Sequence, residues 1–326
     1  MEYFSDKEEF NDRNYLLEDI SIDVWNGIAT LVKALIDNNN LAKDYPIQCP
    51  DGNGVWRVDE QSFYVGAKSV IPTIDILLNY SDKVALFPPH ILPSTWKNVP
   101  WEDNSCGENS YENQSQFKYD VLDFIEFVFK HISDVERDKY HDYYKHYELT
   151  FPNTTLAQEK FINDVNEIFQ RNNVAFKLCS NGEIQRIIDE NLNNLINESV
   201  EPQEETLKNL LNIAKTKIKS PKFEERKIAL EKLWDAFERI KTVIDFNNKN
   251  KNKKESANKL LEKCADGNDK MKEVLDNECR ELTKIGNEFF IIRHSEMDKL
   301  PLDSSEHIDY LFFRMFSLMQ LLLTKI

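Results

Sequence analysis

The chain has 326 residues, enough for one large domain or two ordinary ones, and 41% of them are apolar, so a substantial core is expected. Only 8 residues are Gly and no Gly-rich phosphate loop is present, which excludes the common nucleotide-binding motifs. The net charge of −16 disfavours general binding to nucleic acid. Residues 208–263, however, carry sixteen Lys and Arg against eight Asp and Glu, so one local surface suits contact with phosphate.

The cysteines and the terminal segments bear on the cellular compartment. The five cysteines are widely spaced and include no C-x-x-C pair, so we expect reduced thiols rather than a disulfide framework or a thiolate zinc site. Residues 1–6 are acidic and lack an apolar run, so no signal peptide is predicted. The longest apolar stretch, 311–323, is shorter than the roughly 20 residues that a bilayer requires. These features predict a cytoplasmic protein without a membrane segment.

The first half of the chain alternates helical and irregular patterns. Residues 20–37 repeat apolar side chains at three- and four-residue spacing, which predicts an amphipathic helix. Residues 44–110 contain seven prolines and are predicted to be irregular, with one short helix near 74–79. Strong helical periodicity returns over 118–132 and again over 156–171.

The second half begins with a turn signal and continues as helix. Asn181-Gly182 lies between two short β-type runs and predicts a β-hairpin, because both residues of such a turn adopt positive φ. Residues 200–204 have the composition of a linker. Beyond them the chain is predicted to be helical to its end, with long helices at 226–246, 270–293 and 305–324.

These elements predict a mainly α protein of two domains. Residues 1–200 would form a helical N-terminal domain with a Pro-rich irregular insert and a small β-hairpin. Residues 201–326 would form a helical bundle, because apolar residues alternate four and three apart along its helices.

The first candidate for chemistry is the polar segment at the end of the 270–293 helix, which contains Arg293, His294, Glu296 and Lys299. The helix dipole favours a basic residue there by ~0.3–1 kcal/mol, and this is the structural alternative to a functional role. Arg can grip a phosphate with two hydrogen bonds, and His can transfer a proton near neutral pH. Together these residues suit cleavage of RNA, in which the 2′-OH attacks the neighbouring phosphodiester.

The second candidate is the set His131, His141 and His146 with Asp138 and Asp142, because imidazole and carboxylate groups bind metals. His141 and His146 are five residues apart, which separates them on the surface of a helix, and the spacing matches no standard ligand motif. We therefore predict no metal and no cofactor, and expect aromatic packing with histidines bonded to the backbone. A metal-dependent hydrolase that uses the three histidines is an alternative.

The third candidate is the basic loop that carries Lys249, Lys251, Lys253 and Lys254. Such runs are usually solvated and mobile, but the positive charge around this one favours contact with RNA. The segment Cys49-Pro50-Asp51-Gly52 is predicted to be a turn. No Ser-His-Asp or Cys-His arrangement with a recognisable local signature is present.

Short segments along most of the chain resemble one family, the AbiJ-type abortive-infection proteins of bacteria. The N-terminal segments that resemble it are Phe4-Ser5, Trp25-Asn26-Gly27-Ile28, Tyr45-Pro46 and Cys49-Pro50-Asp51-Gly52. The central ones are Asp123–Phe127, Tyr140–Tyr144 and Val165–Phe169. The segments Ala229–Arg239, Ile285–Asn287 and Arg293–Glu296 look like the HEPN-type helical domain attached to such proteins.

The resemblance implies a role in defence against phage. HEPN domains are helical bundles, commonly dimeric, and many are metal-independent ribonucleases whose motif is Arg, a polar residue, several more residues, then His. Arg293 matches the motif arginine and His294 the polar position. The motif histidine is expected at 298–300, where this chain has Asp298, Lys299 and Leu300.

Two hypotheses of different classes follow. In the first, the chain is an endoribonuclease that cleaves host RNA, tRNA included, as a homodimer formed through the C-terminal domain. In the second, that domain is a non-catalytic module for dimerisation or partner binding. In both, the N-terminal domain would respond to a phage-derived trigger or to another subunit of the defence system.

Overall fold

The computed structural model describes residues 17–52, 54–79, 86, 114–243, 253–289 and 300–326. The chain divides into two compact units, Met1–Gln185 and Arg186–Ile326, called here the first and the second unit. Helix accounts for 61% of the structure and strand for 11%, which confirms the mainly α class predicted from the sequence.

The first unit packs its helices around an aromatic core. Its described helices are α1 (Ile22–Asp37), α2 (Glu60–Val70), α3 (Ile74–Asn79), α4 (Gln114–His131) and α5 (Thr155–Arg171). Each of α1 and α2 begins at a side-chain cap: the Ser21 hydroxyl accepts from the Val24 amide at 3.3 Å, and Asp59 caps α2 in the same way. In the core, Trp25 of α1 meets Phe124 of α4 edge to face, with ring centroids 5.5 Å apart.

The prediction that residues 44–110 are irregular is wrong in part, because two of their segments are strands of a small antiparallel sheet. The described strands are β1 (Pro46–Gln48), β2 (Val55–Val58), β3 (Glu136–His141), β4 (His146–Thr150), β5 (Phe176–Leu178) and β6 (Ile184–Arg186). The first four form one sheet in the order β1-β2-β4-β3, and the bridge Val55↔Leu149 joins the β1–β2 hairpin to the β3–β4 hairpin. Pro46 is tolerated because β1 is an edge strand, where a missing amide costs no ladder bond on the open side.

The predicted hairpin at Asn181-Gly182 is confirmed by the pairing of β5 with β6, but its turn differs from the prediction. Gly182 has φ of +83°, whereas Asn181 stays outside the positive-φ region. The Gly182 amide donates to the Cys179 carbonyl at 2.9 Å, so the turn spans four residues and needs only one left-handed position.

In the described part of the second unit, every named element after β6 is a helix. They are α6 (Glu190–Asn197), α7 (Glu205–Lys217), α8 (Phe223–Ile240), α9 (Lys253–Ala265), α10 (Asp269–Glu288) and α11 (Ser305–Leu323). Helix α8 lies against both α7 and α11 and contributes Trp234 and Phe237 to the core. Phe312 and Phe316 of α11 stack with centroids 5.6 Å apart in the same core. The predicted helix ends 244–246 and 290–293 lie outside the described residues.

Two further features bear on the cellular setting. Among the described helices, none has both the length and the apolar character that crossing a bilayer demands. The four cysteines in the described parts of the chain form no disulfide with one another.

The start of α7 predicts a pH-dependent contribution to stability. Glu204 accepts from the Leu207 amide at 2.7 Å and from Arg239 Nη2 at 2.8 Å. The hydrogen bond from Arg239 is the main cause that lowers the pKa of Glu204 from 4.5 to about 2, with the Leu207 amide adding to it. A carboxyl whose pKa is depressed by folding stabilises the fold above pH 4.5, and that stability is lost as the pH falls towards 2. After solvent screening, we expect this loss to be about 1 kcal/mol.

Replacing Glu204 by Gln tests this expectation, because the amide keeps the size of the side chain and cannot titrate. Urea unfolding of both proteins at pH 7 and pH 3 should show the variant less stable at pH 7, with a smaller difference between the two proteins at pH 3. Parallel curves for the two proteins across this range would contradict the assignment.

Candidate functional site

The predicted catalytic residues Arg293, His294, Glu296 and Lys299 lie outside the described residues, so the structure defines only the backbone on either side of them. Helix α10 ends at Glu288, and Phe289 forms a bridge with Leu300. The Leu300 amide also donates to the Glu288 carbonyl at 3.2 Å. The chain therefore enters and leaves segment 290–299 at one place in the second unit.

The same place is close in sequence to the start of α11. Ser304 caps this helix by accepting from the His307 amide at 3.4 Å, and Arg226 of α8 donates to the Ser305 hydroxyl at 2.7 Å. Arg226 is buried, so this contact fixes the start of α11 against α8.

The predicted RNA-contacting lysines are only partly described. Lys249 and Lys251 lie outside the described residues, whereas Lys253 and Lys254 are the first two residues of α9. The predicted basic loop therefore ends earlier than expected, because helix formation includes its last two lysines.

A second cluster of chemically capable side chains lies on the four-stranded sheet. His141 ends β3 and His146 begins β4, and the two are directly opposite each other in the antiparallel register. The four residues between them form the turn, with Lys145 at φ of +57°. On a hairpin, unlike on a helix, a separation of five residues therefore brings the two imidazoles to one place.

Cys49 reaches this cluster from the turn between β1 and β2. The Gly52 amide donates to the Cys49 carbonyl at 2.8 Å, which confirms the predicted turn, and Gly52 adopts φ of +76°. The Cys49 amide donates to the Gly54 carbonyl at 2.7 Å and so fixes the cysteine at the end of the ladder.

The side chains of this cluster contact one another closely. Cys49 Sγ lies 3.2 Å from His141 Nδ1, and the other ring nitrogen of His141, Nε2, lies 3.3 Å from Asp51 Oδ2. One ligand atom from each of Cys49, His141 and His146 lies within 4.8 Å of the others. Sulfur and imidazole nitrogen at such separations can hold a metal ion.

Burial gives the cluster an unusual electrostatic character. His146 is 7% exposed, its ring stacks on Trp56 with centroids 5.0 Å apart, and neither of its nitrogens has a hydrogen-bond partner among the described residues. Cys49 is buried as well, and burial raises the pKa of its thiol, with hydrogen bonding to Asp51 as the next cause. Two buried, unpaired nitrogens are rare, since each costs the loss of its hydration.

The structure separates the histidines that the sequence grouped together. His131 Nδ1 lies 2.6 Å from Asp44 Oδ2 and packs on Tyr45 and Phe127, so it is outside the cluster. Asp142 is exposed on the hairpin turn. The metal-binding alternative combined His131 with His141 and His146. In the structure the residue beside His141 and His146 is Cys49, for which the sequence predicted only a turn.

Fold and site define a mainly helical protein of two units whose first unit carries a Cys-His-His cluster on a small antiparallel sheet. Residues 2–202 match the family described as AbiJ N-terminal domain 4, and the chain belongs to this family. Membership confirms the resemblance to AbiJ-type proteins and indicates a role in abortive-infection defence. The comparisons with curated proteins and with solved structures found no match.

Proposed function

We propose that the chain is an abortive-infection effector that cleaves RNA through its second unit. The observation that carries this proposal is the division of the chain. The match to AbiJ N-terminal domain 4 ends at residue 202, and the polar cluster 293–299 falls within the second unit, Arg186–Ile326, most of which the match does not cover. A defence protein needs a part that harms the infected cell, and this helical unit is the part that the family match leaves for that role.

The residue types in the segment suit phosphodiester cleavage without a metal. Arg293 would hold the phosphate, and His294 would take the proton from the 2′-OH or give one to the leaving 5′-oxygen. Glu296 would orient the histidine, and Lys299 would bind phosphate. The products would be a 2′,3′-cyclic phosphate and a 5′-hydroxyl, since the nucleophile comes from the RNA itself.

Charge supports RNA, tRNA included, as the substrate class. Residues 208–263 carry a net charge of +8 in a chain whose total is −16. Phosphate binding by Lys and Arg releases counterions and therefore provides most of the affinity for nucleic acid. Lys249, Lys251, Lys253 and Lys254 belong to this basic stretch and would contact the RNA backbone.

A homodimer formed by the second unit is part of the proposal. Exposed apolar side chains of α10 and α11 flank the bidentate ion pair between Arg314 and Glu278, and they are Met271, Val274, Tyr310 and Phe313. The ion pair is itself only partly buried, and exposed apolar and aromatic groups on two adjoining helices are typical of the centre of a protein interface. In a dimer, two copies of segment 290–299 would contribute to one composite site.

The rival function is a non-catalytic module for dimerisation or recruitment of a partner. One observation favours it: Asp298, Lys299 and Leu300 occupy the positions where the HEPN motif expects its histidine. The two functions make different predictions for the pair Arg293 and His294, since only the ribonuclease needs them for proton transfer and phosphate binding.

The double variant Arg293→Ala and His294→Ala tests the proposal in cells. We expect loss of growth toxicity and of phage protection, because each general acid–base or phosphate contact contributes about 100-fold or more to rate. The matched control is Arg280→Ala with His307→Ala, which removes an exposed Arg and an exposed His elsewhere in the second unit. Full toxicity of the first variant, at the same expression level as the control, would contradict the catalytic assignment.

A further inference from the structure

We propose that Cys49, His141 and His146 bind a zinc ion that joins the two hairpins of the four-stranded sheet. The three residues come from both hairpin turns: Cys49 from β1–β2, and the histidines from β3–β4. Among the described residues, the bridge Val55↔Leu149 is the one backbone pairing between these hairpins. A metal ion would therefore hold together two elements that the sheet ladder links weakly.

The donor atoms select the class of metal. One thiolate sulfur and two imidazole nitrogens suit zinc and related first-row divalent ions, whereas magnesium and calcium prefer oxygen ligands. Tetrahedral zinc holds neighbouring sulfur and nitrogen ligands about 3.3–3.6 Å apart. The distance of 3.2 Å between Cys49 Sγ and His141 Nδ1 is close to this range, and the whole set lies within 4.8 Å. Small side-chain rotations would bring all three atoms to zinc.

His146 points independently to a ligand. It is 93% buried, and in the part of the chain that the structure describes both of its ring nitrogens lack a hydrogen-bond partner. Packing against Trp56 holds the ring in place, so the nitrogens cannot turn to solvent. A buried imidazole without a partner is costly, and coordination of one nitrogen to a cation removes the cost at that nitrogen.

Asp51 completes a pattern that metal-binding histidines usually show. Its carboxylate lies 3.3 Å from His141 Nε2, the ring nitrogen that does not face Cys49 Sγ. A proton on Nε2 that faces the carboxylate leaves Nδ1 with its lone pair towards the sulfur. Such carboxylate–histidine pairs orient the ring and fix its tautomer in metal sites. Asp51 is therefore a positioning residue rather than a fourth ligand.

The hairpin geometry, rather than the spacing in sequence, brings these ligands together. His141 and His146 are partners in the antiparallel register, with four residues between them. The antiparallel register aligns them, and the turn between them is closed by a left-handed residue. On the other hairpin, the Cys49–Gly52 turn places the sulfur and the Asp51 carboxylate side by side.

Three protein ligands leave one position of a tetrahedral ion for water. His141 is a quarter exposed, so solvent reaches this side of the cluster. The simpler reading is a thiol that donates to His141 Nδ1 without any ion. That reading accounts for the 3.2 Å contact but leaves both nitrogens of His146 unsatisfied.

Metal content and cobalt spectroscopy of the purified full chain test the proposal. We expect one zinc per chain by elemental analysis. We also expect a thiolate-to-cobalt charge-transfer band with tetrahedral visible absorption when Co²⁺ replaces zinc. Cys49→Ser and His146→Gln should each lower the bound zinc to a small fraction. Cys179→Ser and His131→Gln are matched controls, because Cys179 begins a turn of the same type and His131 lies in the same unit.

The outcomes separate the two readings. Loss of zinc and of the thiolate band in Cys49→Ser, with both kept in Cys179→Ser, supports the site. Wild-type protein that holds no zinc after dialysis against excess Zn²⁺, or controls that lose as much as the ligand variants, overturns it. If a ligand variant unfolds by circular dichroism, the wild type decides: a chelator should lower its melting temperature and zinc should restore it, and an unchanged melting temperature counts against the site.

Discussion

Alanine at position 286 is expected to destabilise the second unit by about 1–3 kcal/mol, although alanine is the better helix former. Gly286 lies in α10, and a Cβ atom there would be 1.8 Å from Nε1 and 2.5 Å from Cδ1 of Trp234 in α8. Trp234 is 6% exposed and part of the core, so its indole has little room to move. The two helices would have to separate, and urea unfolding measures the cost.

A second helical glycine provides the matched control. At Gly27 in α1, the nearest atoms to an added Cβ belong to Ile168 at 3.5 Å, which is an ordinary contact. Gly27→Ala should therefore be neutral or stabilise the protein by up to about 1 kcal/mol. Equal effects of the two substitutions would contradict the close packing of α10 on α8. Since α10 leads into segment 290–299, the Gly286 variant should also weaken the RNA cleavage that we propose for the second unit.

The variant Asp309→Ala is expected to lose about 3 kcal/mol of stability. Arg186 is 4% exposed, and its two terminal nitrogens each lie 2.7 Å from an oxygen of Asp309. Removing the carboxylate takes two acceptor oxygens away from a buried guanidinium that also donates to the Ile218 carbonyl at 3.3 Å. Breaking a buried ion pair costs about 3–5 kcal/mol. The expected loss of stability lies at the lower end of this range because Asp309 is 32% exposed.

Asp303→Ala is the control for this prediction. Its side chain is 72% exposed and lies 3.8 Å from Lys227, so its removal should change stability by less than about 0.5 kcal/mol. The double variant Arg186→Met with Asp309→Leu should recover most of the loss, because it leaves no buried charge. Thermal and urea unfolding of the four proteins check these expectations. A double variant as unstable as Asp309→Ala would show that packing, rather than charge, sets the cost.

The long helices were predictable because each buries one face, so that its apolar side chains recur at regular helical spacing. Helices α1 and α5 begin and end within two residues of the prediction, and α11 within one. Helix α2 was not predicted, because the prolines of residues 44–110 indicated irregular structure for the whole stretch. Its apolar side chains Phe63, Tyr64 and Ala67 do follow helical spacing, and Asp59 is a recognisable cap.

The sheet and its cluster were harder to infer, for a physical reason. Strand β3 is almost entirely polar and exposed, so it lacks the apolar alternation that identifies a strand. Strands β1 and β2 have three and four residues, too few to show a period. The contact between Cys49 and His141 joins residues 92 positions apart, and local spacing carries no information about such a pair. Two local patterns could have indicated the cluster: the His-x4-His spacing and the Cys-Pro-Asp-Gly turn. Each of them marks the end of a β-hairpin.

Cleavage of RNA by the purified full chain tests the central claim most directly. Light scattering first establishes that the wild type and Arg293→Ala have the same molecular mass in solution. Both are then incubated with total tRNA and rRNA in the presence of a chelator. The account predicts cleavage by the wild type that leaves 2′,3′-cyclic phosphate ends, and at least about 100-fold slower cleavage by the variant. Intact RNA with correctly folded, dimeric wild type would contradict it and favour the non-catalytic module.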